Sequence, residues 1–385
     1  MDFTLSSDQI LIRDTVRQFM EMEMRPIVRE YEAEKKFPAA QIKKLGELGC
    51  CGMLIPEQWG GAGTDTISYA LMIEEVARVD ASTAVILSVT NSVAAAPLLK
   101  HGTEAQKNKY LQRLGHGEIL GAFCLTEPGA GSDAASIQAS AVRSGDHYVL
   151  NGTKIWVTNG DVAGVNVVFA KTDPSAGPHG VTAFLVEPTS PGFRISRHED
   201  KMGLRLSHSV EIVFEDCRVP AENRLGEEGQ GLKIALEALD GGRVGIAAQS
   251  VGLAQGALEA ATRYAKQRRT FGRPIADYQA IQWMLADMET EIEAARALTH
   301  HAAWVRDIGT QRLGPYSARA KLYASEMANR VTYKAVQVHG SLGYSRESDV
   351  ERMYRDARVL TIYEGTSEMQ RIVIARDLLR GAGGR

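Results

Sequence analysis

The sequence predicts a mainly α-helical protein with a central β domain. Three observations carry that prediction. Apolar residues recur at helical spacing from Ser6 to about residue 118. Short runs rich in β-branched residues, separated by Gly, Asn, Asp and Pro, then fill the stretch from Gly121 to about residue 222. Beyond Val219-Pro220 and the glycines at 226–231 the helical period returns and stays. The expected domains are an N-terminal helical domain (1–120), a middle β domain, most simply a small barrel or sandwich (121–225), and a C-terminal four-helix bundle (226–385). A cleft among them is the natural ligand site.

In the first segment Ile10, Val16, Phe19 and Met20 lie at helical spacing, and Pro26 interrupts the pattern. Phe37-Pro38 punctuates, after which Ile42, Leu45 and Leu48 resume it. Residues 56–63 form a turn-rich loop, and a long helix is expected over Thr66–Val79. The stretch 81–99 is small and apolar with Ser88, Thr90, Asn91 and Ser92 embedded in it. Lining a pocket and packing tightly with locally bonded hydroxyls fit that pattern equally.

Strands are expected at 122–125, 137–142, 148–150, 154–157, 165–170, 181–186 and 210–214. The run Val149-Leu150-Asn151-Gly152-Thr153-Lys154-Ile155 reads as a hairpin turning at Asn151-Gly152. Long helices should cover 232–267, 278–309 and 317–340, and the last should start near Ser367.

Bulk properties exclude several classes. Hydrophobic residues are 44% and charged residues 24%, which is ordinary for a globular chain. A net charge of −3 gives no electrostatic reason to expect nucleic acid or an anionic membrane as partner. The four cysteines, Cys50, Cys51, Cys124 and Cys217, contain no CxxC, which fits a reducing compartment and argues against a structural zinc site. No metal site is expected. Met1-Asp2-Phe3-Thr4-Leu5 reads as neither a signal nor a transit peptide, and no apolar run reads as long enough to span a bilayer. The expected location is the cytoplasm of a bacterium or, in a eukaryote, the mitochondrial matrix after processing. No G-x-S-x-G, HExxH, Walker loop or EF-hand occurs.

Several short stretches can carry chemistry. Leu125-Thr126-Glu127-Pro128-Gly129-Ala130-Gly131-Ser132-Asp133 offers small residues that let a flat or phosphorylated ligand approach the backbone; an ordinary turn fits as well. Trp156 and Thr158, two apart in a strand, would share a face and suit stacking against a ring, although without context the barrel core is the favoured place for Trp156. Asp240-Gly241-Gly242-Arg243 puts two glycines inside a helix, at a cost of about 1 kcal/mol each, which suggests a close neighbour. Arg243 suits a phosphate or an i,i+3 pair with Asp240. Arg268-Arg269-Thr270-Phe271-Gly272-Arg273 is a basic helix-ending loop, and Gln337-Val338-His339-Gly340-Ser341 ends a helix at a glycine. In Ile362-Tyr363-Glu364-Gly365-Thr366-Ser367-Glu368 an acid precedes a glycine and a helix start; Ser367-x-x-Gln370 reads as its capping box. Glu364 is then a solvated acid favoured by the helix dipole, or a carboxylate projecting into a cleft.

Together these stretches resemble the acyl-CoA dehydrogenase family over nearly the whole chain. The likeness is carried by residues 126–133, 156–160, 268–272, 337–340 and 362–366, in order and at family-like spacing. The resemblance implies FAD as cofactor. Phe123, Leu125, Thr126, Gly131, Ser132, Trp156 and Thr158 would line the flavin. Arg268, Phe271, Gln279, Gln337, Val338, Gly340, Ser341, Thr366 and Glu368 would hold the dinucleotide, in part across a subunit interface. Ser132, Asp240, Arg243 and Gly365 match positions that contact acyl-CoA.

By the same resemblance Glu364 is the catalytic base, and excluding water should raise its pKa. Some family members carry the base at the position of Gly242, which is empty of a side chain here. Residues 88–92 and 245–249 look most like the short-chain members. The implied activity is dehydrogenation of a short-chain acyl-CoA to the trans-2-enoyl-CoA. Electrons would pass to electron-transfer flavoprotein, and a homotetramer is implied. Competing expectations are a branched or cyclic acyl-CoA, oxygen as acceptor, and a flavin-free scaffold of the same fold.

Overall fold

In the computed structural model, residues 4–309 and 311–379 are described. Met1, Asp2 and Phe3, on which the reading of the N-terminus partly rests, lie outside them, as do the last residues of the C-terminal segment. The chain begins with helices α1 (Ser7–Phe19), α2 (Val28–Glu34), α3 (Ala39–Glu47), α4 (Thr66–Val79), α5 (Ala81–Ser88), α6 (Ala96–His101) and α7 (Glu104–Gly115). α1 opens with a capping box between Ser6 and Gln9, and Asp65 caps α4 through the Ser68 N–H.

α5 and α6 are joined by the wider turns of Val89–Ala95 into one helical run, Ala81–His101. By length and composition this run is apolar enough to cross a bilayer, contrary to the sequence reading, and 89% of its most apolar window is buried inside the protein. It is apolar because it is a core helix. Its hydroxyls are satisfied locally: Thr90 Oγ1 donates to Ile86 O and Ser92 Oγ to Ser88 O.

Strands β1 (Leu120–Cys124), β2 (Ser140–Ser144), β3 (His147–Thr158), β4 (Ala163–Lys171), β5 (Val181–Val186), β6 (Phe193–His198), β7 (Ser209–Pro220) and β8 (Arg224–Leu225) form one sheet. Its order is β6-β7-β3-β2-β4-β5-β8, with β1 parallel to β4. The period of two is visible in β4. Val165, Val167 and Phe169 pack with residues of the run Ala81–His101 and of α7, whereas Val168 and Ala170 pack with Phe184, Val210 and Ile212.

The expected hairpin at Asn151-Gly152 does not form. β3 runs straight through it, and the turn lies at Gly145-Asp146, between β2 and β3. Asn151 and Gly152 sit instead at a register shift against β7. The Asn151 side chain accepts the Asp216 N–H there, and a Cβ on Gly152 would lie 2.7 Å from Ala139 Cβ. The glycine serves a bulge with close packing, the other common use of Gly in a strand.

The C-terminal part comprises α8 (Gly231–Gln267), the ribbon β9 (Arg269–Thr270) and β10 (Arg273–Pro274), α9 (Gln279–Ile308), α10 (Leu313–His339), α11 (Asp349–Ala357) and α12 (Ser367–Leu379). α8 packs on α9, α10 and α4, and α12 lies on α10. The strands β6 and β8 and the helix α11 escape sequence reading because each is short and strongly polar.

Candidate active site

Glu364 sits in the turn between Thr361 and α12. Its backbone is left-handed, φ 50°, and Gly365 follows at φ 90°. A non-glycine residue holds such a conformation only where its surroundings enforce it. Two donors do so: Lys321 Nζ reaches Gly365 O at 2.7 Å, and Gln370 Nε2 reaches the same oxygen at 2.8 Å. On the other side the Tyr363 hydroxyl donates to Gln249 Oε1, and Gln249 Nε2 donates to Ala81 O at 2.7 Å.

The cap of α12 differs from the expected one. Thr366, not Ser367, accepts the Met369 N–H on its side-chain oxygen, at 3.3 Å. Gln370 turns back to the Glu364-Gly365 carbonyls instead of closing a box, and Ser367 is the first helical residue with its hydroxyl buried.

Glu364 is not a solvated acid. The residue as a whole is half-buried, but its Oε2 is sealed from solvent and has no hydrogen-bond partner among the described residues. Gly242 of α8 stands against it. A Cβ there would lie 2.2 Å from Glu364 Oε2 and 3.1 Å from Val93 Cγ1. One turn along α8, a Cβ on Gly245 would lie 2.4 Å from both Ser88 Oγ and Tyr69 Oη, which are hydrogen-bonded to each other at 3.0 Å. The helical glycines thus let α8 approach the acid on one turn and the Tyr69–Ser88 pair on the next.

Burial pushes the Glu364 carboxyl up to about 7, against the opposing pull of the Lys321 and Arg243 cations. Burial likewise brings the Lys321 ammonium down to about 8, with Glu364 acting against it. Arg243 pairs with Asp240 at 2.5 Å, and its buried Nε has no partner among the described residues. Burial also raises the Asp240 carboxyl, with Arg243 and Arg312 opposing.

A second group lies where β1 and β3 meet. Ile155 N donates to Thr126 O at 2.9 Å, and the Phe123 ring packs 4.9 Å from that of Phe169. Trp156 is not in the core: it is 54% exposed, at φ 60°, on a second register shift of β3. Two residues on, Thr158 pairs with Ser209. Asn159 then ties this segment to α5 and β1, donating to Ile86 O and Gly121 O. Among the described residues nothing lies within 4 Å of where a Cβ would stand on Gly129 or Gly131, so their packing does not require glycine. Leu125 is buried and Ser132 exposed.

Beneath this loop lies a pair that sequence reading missed. Lys154 Nζ, fully buried, bonds Glu127 Oε1 at 2.7 Å and Leu125 O at 3.0 Å, and the Glu127 carboxylate also accepts the Gln138 and Ala139 N–H groups. A lysine among apolar residues in a strand was the available signal. For Lys321 it was a lysine on the small-residue face of α10, beside Ala318, Ala324 and Ser325.

The remaining predicted residues lie elsewhere. Arg268 follows the last residue of α8, Gln279 starts α9, Gln337 and Val338 lie in the last turn of α10, and Gly340 and Ser341 come just after it. Stacking of Tyr264 on His339 at 4.4 Å joins α8 and α10 there. Phe271, 94% exposed, tips the β9–β10 ribbon. About 24 Å of α10 separates Gln337 from Lys321 and the Glu364 turn. The chain therefore gathers Glu364, Gly365, Gly242, Asp240 and Arg243, with Thr366 and Glu368 close by in sequence, and leaves the bundle-end residues apart.

Comparison with known proteins completes the picture. Residues 6–118, 122–217 and 229–379 match the N-terminal, middle and C-terminal domains of acyl-CoA dehydrogenase. The short-chain specific acyl-CoA dehydrogenase of Clostridium acetobutylicum is 47% identical over 383 residues, 99% of this chain and 100% of that protein. The solved butyryl-CoA dehydrogenase of Megasphaera elsdenii superposes with a TM-score of 0.97 at 47% identity, covering 99% of this chain and 100% of that one. A chain from the work on the electron transferring flavoprotein of Acidaminococcus fermentans superposes with a TM-score of 0.98 at 49% identity, with the same coverage. Three domain matches in order, near-complete relatives at almost half identity and a sealed acid against a helical glycine agree: the chain belongs to the acyl-CoA dehydrogenase family.

Proposed function

We propose that the protein dehydrogenates a short-chain acyl-CoA to the trans-2-enoyl-CoA, with Glu364 as base, FAD as cofactor and electron-transfer flavoprotein as acceptor. The observation that carries the assignment of the base is the unpartnered Glu364 Oε2, sealed from water and faced by a glycine.

The residues present fit FAD. A half-exposed indole on a strained bulge, the adjoining Phe123 and a loop with open glycines offer a flat apolar wall and free backbone. In this reading Phe123, Leu125, Thr126, Gly131, Ser132, Trp156 and Thr158 line the flavin. Thr366 and Glu368 hold the dinucleotide together with Arg268, Phe271, Gln279, Gln337, Val338, Gly340 and Ser341 of a neighbouring subunit in a homotetramer. The distance along α10 and the bare Phe271 support a shared site. FAD, when bound, accepts the hydride that leaves the substrate β-carbon.

The chain's own residues do the rest. Glu364 takes the α-proton onto its carboxylate. With its pKa near 7 it is a stronger base than an ordinary carboxylate, yet largely ionised just above neutrality. Lys321 and Arg243 keep its charged form accessible, and the Lys321 bond to Gly365 O fixes the turn that aims it. The Glu364 backbone N–H would donate to the thioester oxygen as charge develops, as the family resemblance implies. Asp240, Arg243, Ser132 and Gly365 hold the acyl-CoA. The filled α8 face one turn beyond Gly242, where Tyr69 and Ser88 crowd Gly245, favours a short acyl chain.

Anaerobic addition of butyryl-CoA should bleach a yellow holoenzyme, and octanoyl-CoA should do so poorly. A colourless protein unable to take up FAD would end the enzyme reading. Equal bleaching by octanoyl-CoA would end the short-chain one.

A further inference from the structure

We propose that Asp161, His198 and His208 form a site for a divalent transition-metal ion of the zinc type, separate from the Glu364 turn. One ligand atom from each residue falls within 4.8 Å of the other two. His208 Nδ1 lies 2.6 Å and His198 Nδ1 3.8 Å from Asp161 Oδ2. Ligands about 2.1 Å from a zinc ion stand roughly 3 to 3.5 Å apart, so shifts below about 1 Å complete the set. Two imidazoles and one carboxylate suit zinc, cobalt, nickel or iron, and do not suit calcium or magnesium.

Two further observations point to a ligand. Asp161 Oδ1 is sealed from solvent without a partner among the described residues. His208 Nε2 lies 3.4 Å from Lys35 O, at the edge of hydrogen-bond range. At 2.6 Å from Asp161 Oδ2 the Nδ1 atom carries a proton in the metal-free protein; a metal ion would displace that proton while Nε2–H stays on the Lys35 carbonyl, the outer-shell arrangement of metal-binding histidines. A cavity of about 70 Å³, lined in part by His198 and His208, adjoins the cluster and has room for water on the open positions.

Three cations border the cavity, and two of them face carboxylates. Lys35 pairs with Asp200 at 2.7 Å, Arg205 with Glu32 at 3.4 Å, and Lys201 Nζ donates to Ser207 O. The ion would join three segments: the turn after β3, the end of β6 and the loop before β7. Phe37 packs on His208 at 5.3 Å, so the helical N-terminal part is joined as well. Asn159 N donates to His208 O at 3.1 Å, which links the cluster to the strand end carrying Trp156 and Thr158.

Chelator-treated holoenzyme titrated calorimetrically with Zn²⁺ should bind one ion per chain with a Kd of about 10 μM or tighter. His198→Asn, at an exposed side chain with little structural role, should weaken binding at least about tenfold, and Asp161→Asn should abolish it. Zinc should raise the thermal midpoint of the wild type and leave that of His198→Asn unmoved. Unchanged zinc affinity in His198→Asn would overturn the site, as would no saturable binding below about 1 mM. Saturable binding of inorganic phosphate instead of zinc would make it an anion pocket and overturn it too.

Discussion

Replacing Gly242 by alanine tests whether the Glu364 carboxylate is held where the structure puts it. The new Cβ would lie 2.2 Å from Glu364 Oε2 and 3.0 Å from its Cδ, with Val93 Cγ1 also close at 3.1 Å. Relief to an ordinary contact moves the carboxylate by about 1 Å. The turn itself cannot yield freely, because Lys321 and Gln370 both hold Gly365 O. A misplacement of that size costs on the order of 100-fold in rate, or about 2.7 kcal/mol. Stability should change little, since the helix gains about 1 kcal/mol from alanine while overpacking costs about 1–3 kcal/mol. The assay is the anaerobic rate of flavin bleaching by butyryl-CoA, with FAD content and thermal midpoint measured alongside. A bleaching rate within about threefold of wild type, at full FAD content, would refute the reasoning.

Three further outcomes follow from the same geometry. With the Glu364 pKa near 7, kcat/KM should rise with pH as the base loses its proton, pass its midpoint near neutrality and level off above; a profile flat from pH 5 to 9 would contradict this. Lys321→Met removes the cation that lowers the Glu364 pKa and the donor to Gly365 O, so the midpoint should move upward and the plateau should fall; a downward move would reverse the assigned electrostatics. Lys154→Met leaves the buried Glu127 carboxylate without its cation, and urea unfolding should show a loss of about 3 kcal/mol, the low end for a broken buried pair because two backbone N–H groups still serve Glu127.

Long, strongly periodic elements were legible in the sequence. The helix Thr66–Val79 and the strand Val181–Val186 stand where periodicity puts them. Local rules failed where tertiary contacts decide between two uses of one residue. Asn151-Gly152 has the chemistry of a hairpin turn, but Ala139 packs on the glycine and Asp216 engages the asparagine, which makes it a bulge. Trp156 has the composition of a core residue, and a left-handed bulge turns it outward. Family resemblance named Glu364, while its local sequence favoured a solvated acid. What seals the acid comes from chain positions far apart: Gly242 and Val93 against it, Lys321 on its turn and Gln249 on the neighbouring tyrosine. No window of sequence contains that set.

The central claim is that Glu364 removes the substrate proton. Glu364→Gln keeps the shape and the backbone turn and removes the base. The measurement is anaerobic mixing of the FAD-loaded variant with butyryl-CoA, following ligand-induced change and bleaching of the flavin spectrum. The account predicts that butyryl-CoA still binds and perturbs the spectrum while bleaching is nearly abolished. Bleaching at a rate close to that of the wild type would contradict it and place the base elsewhere.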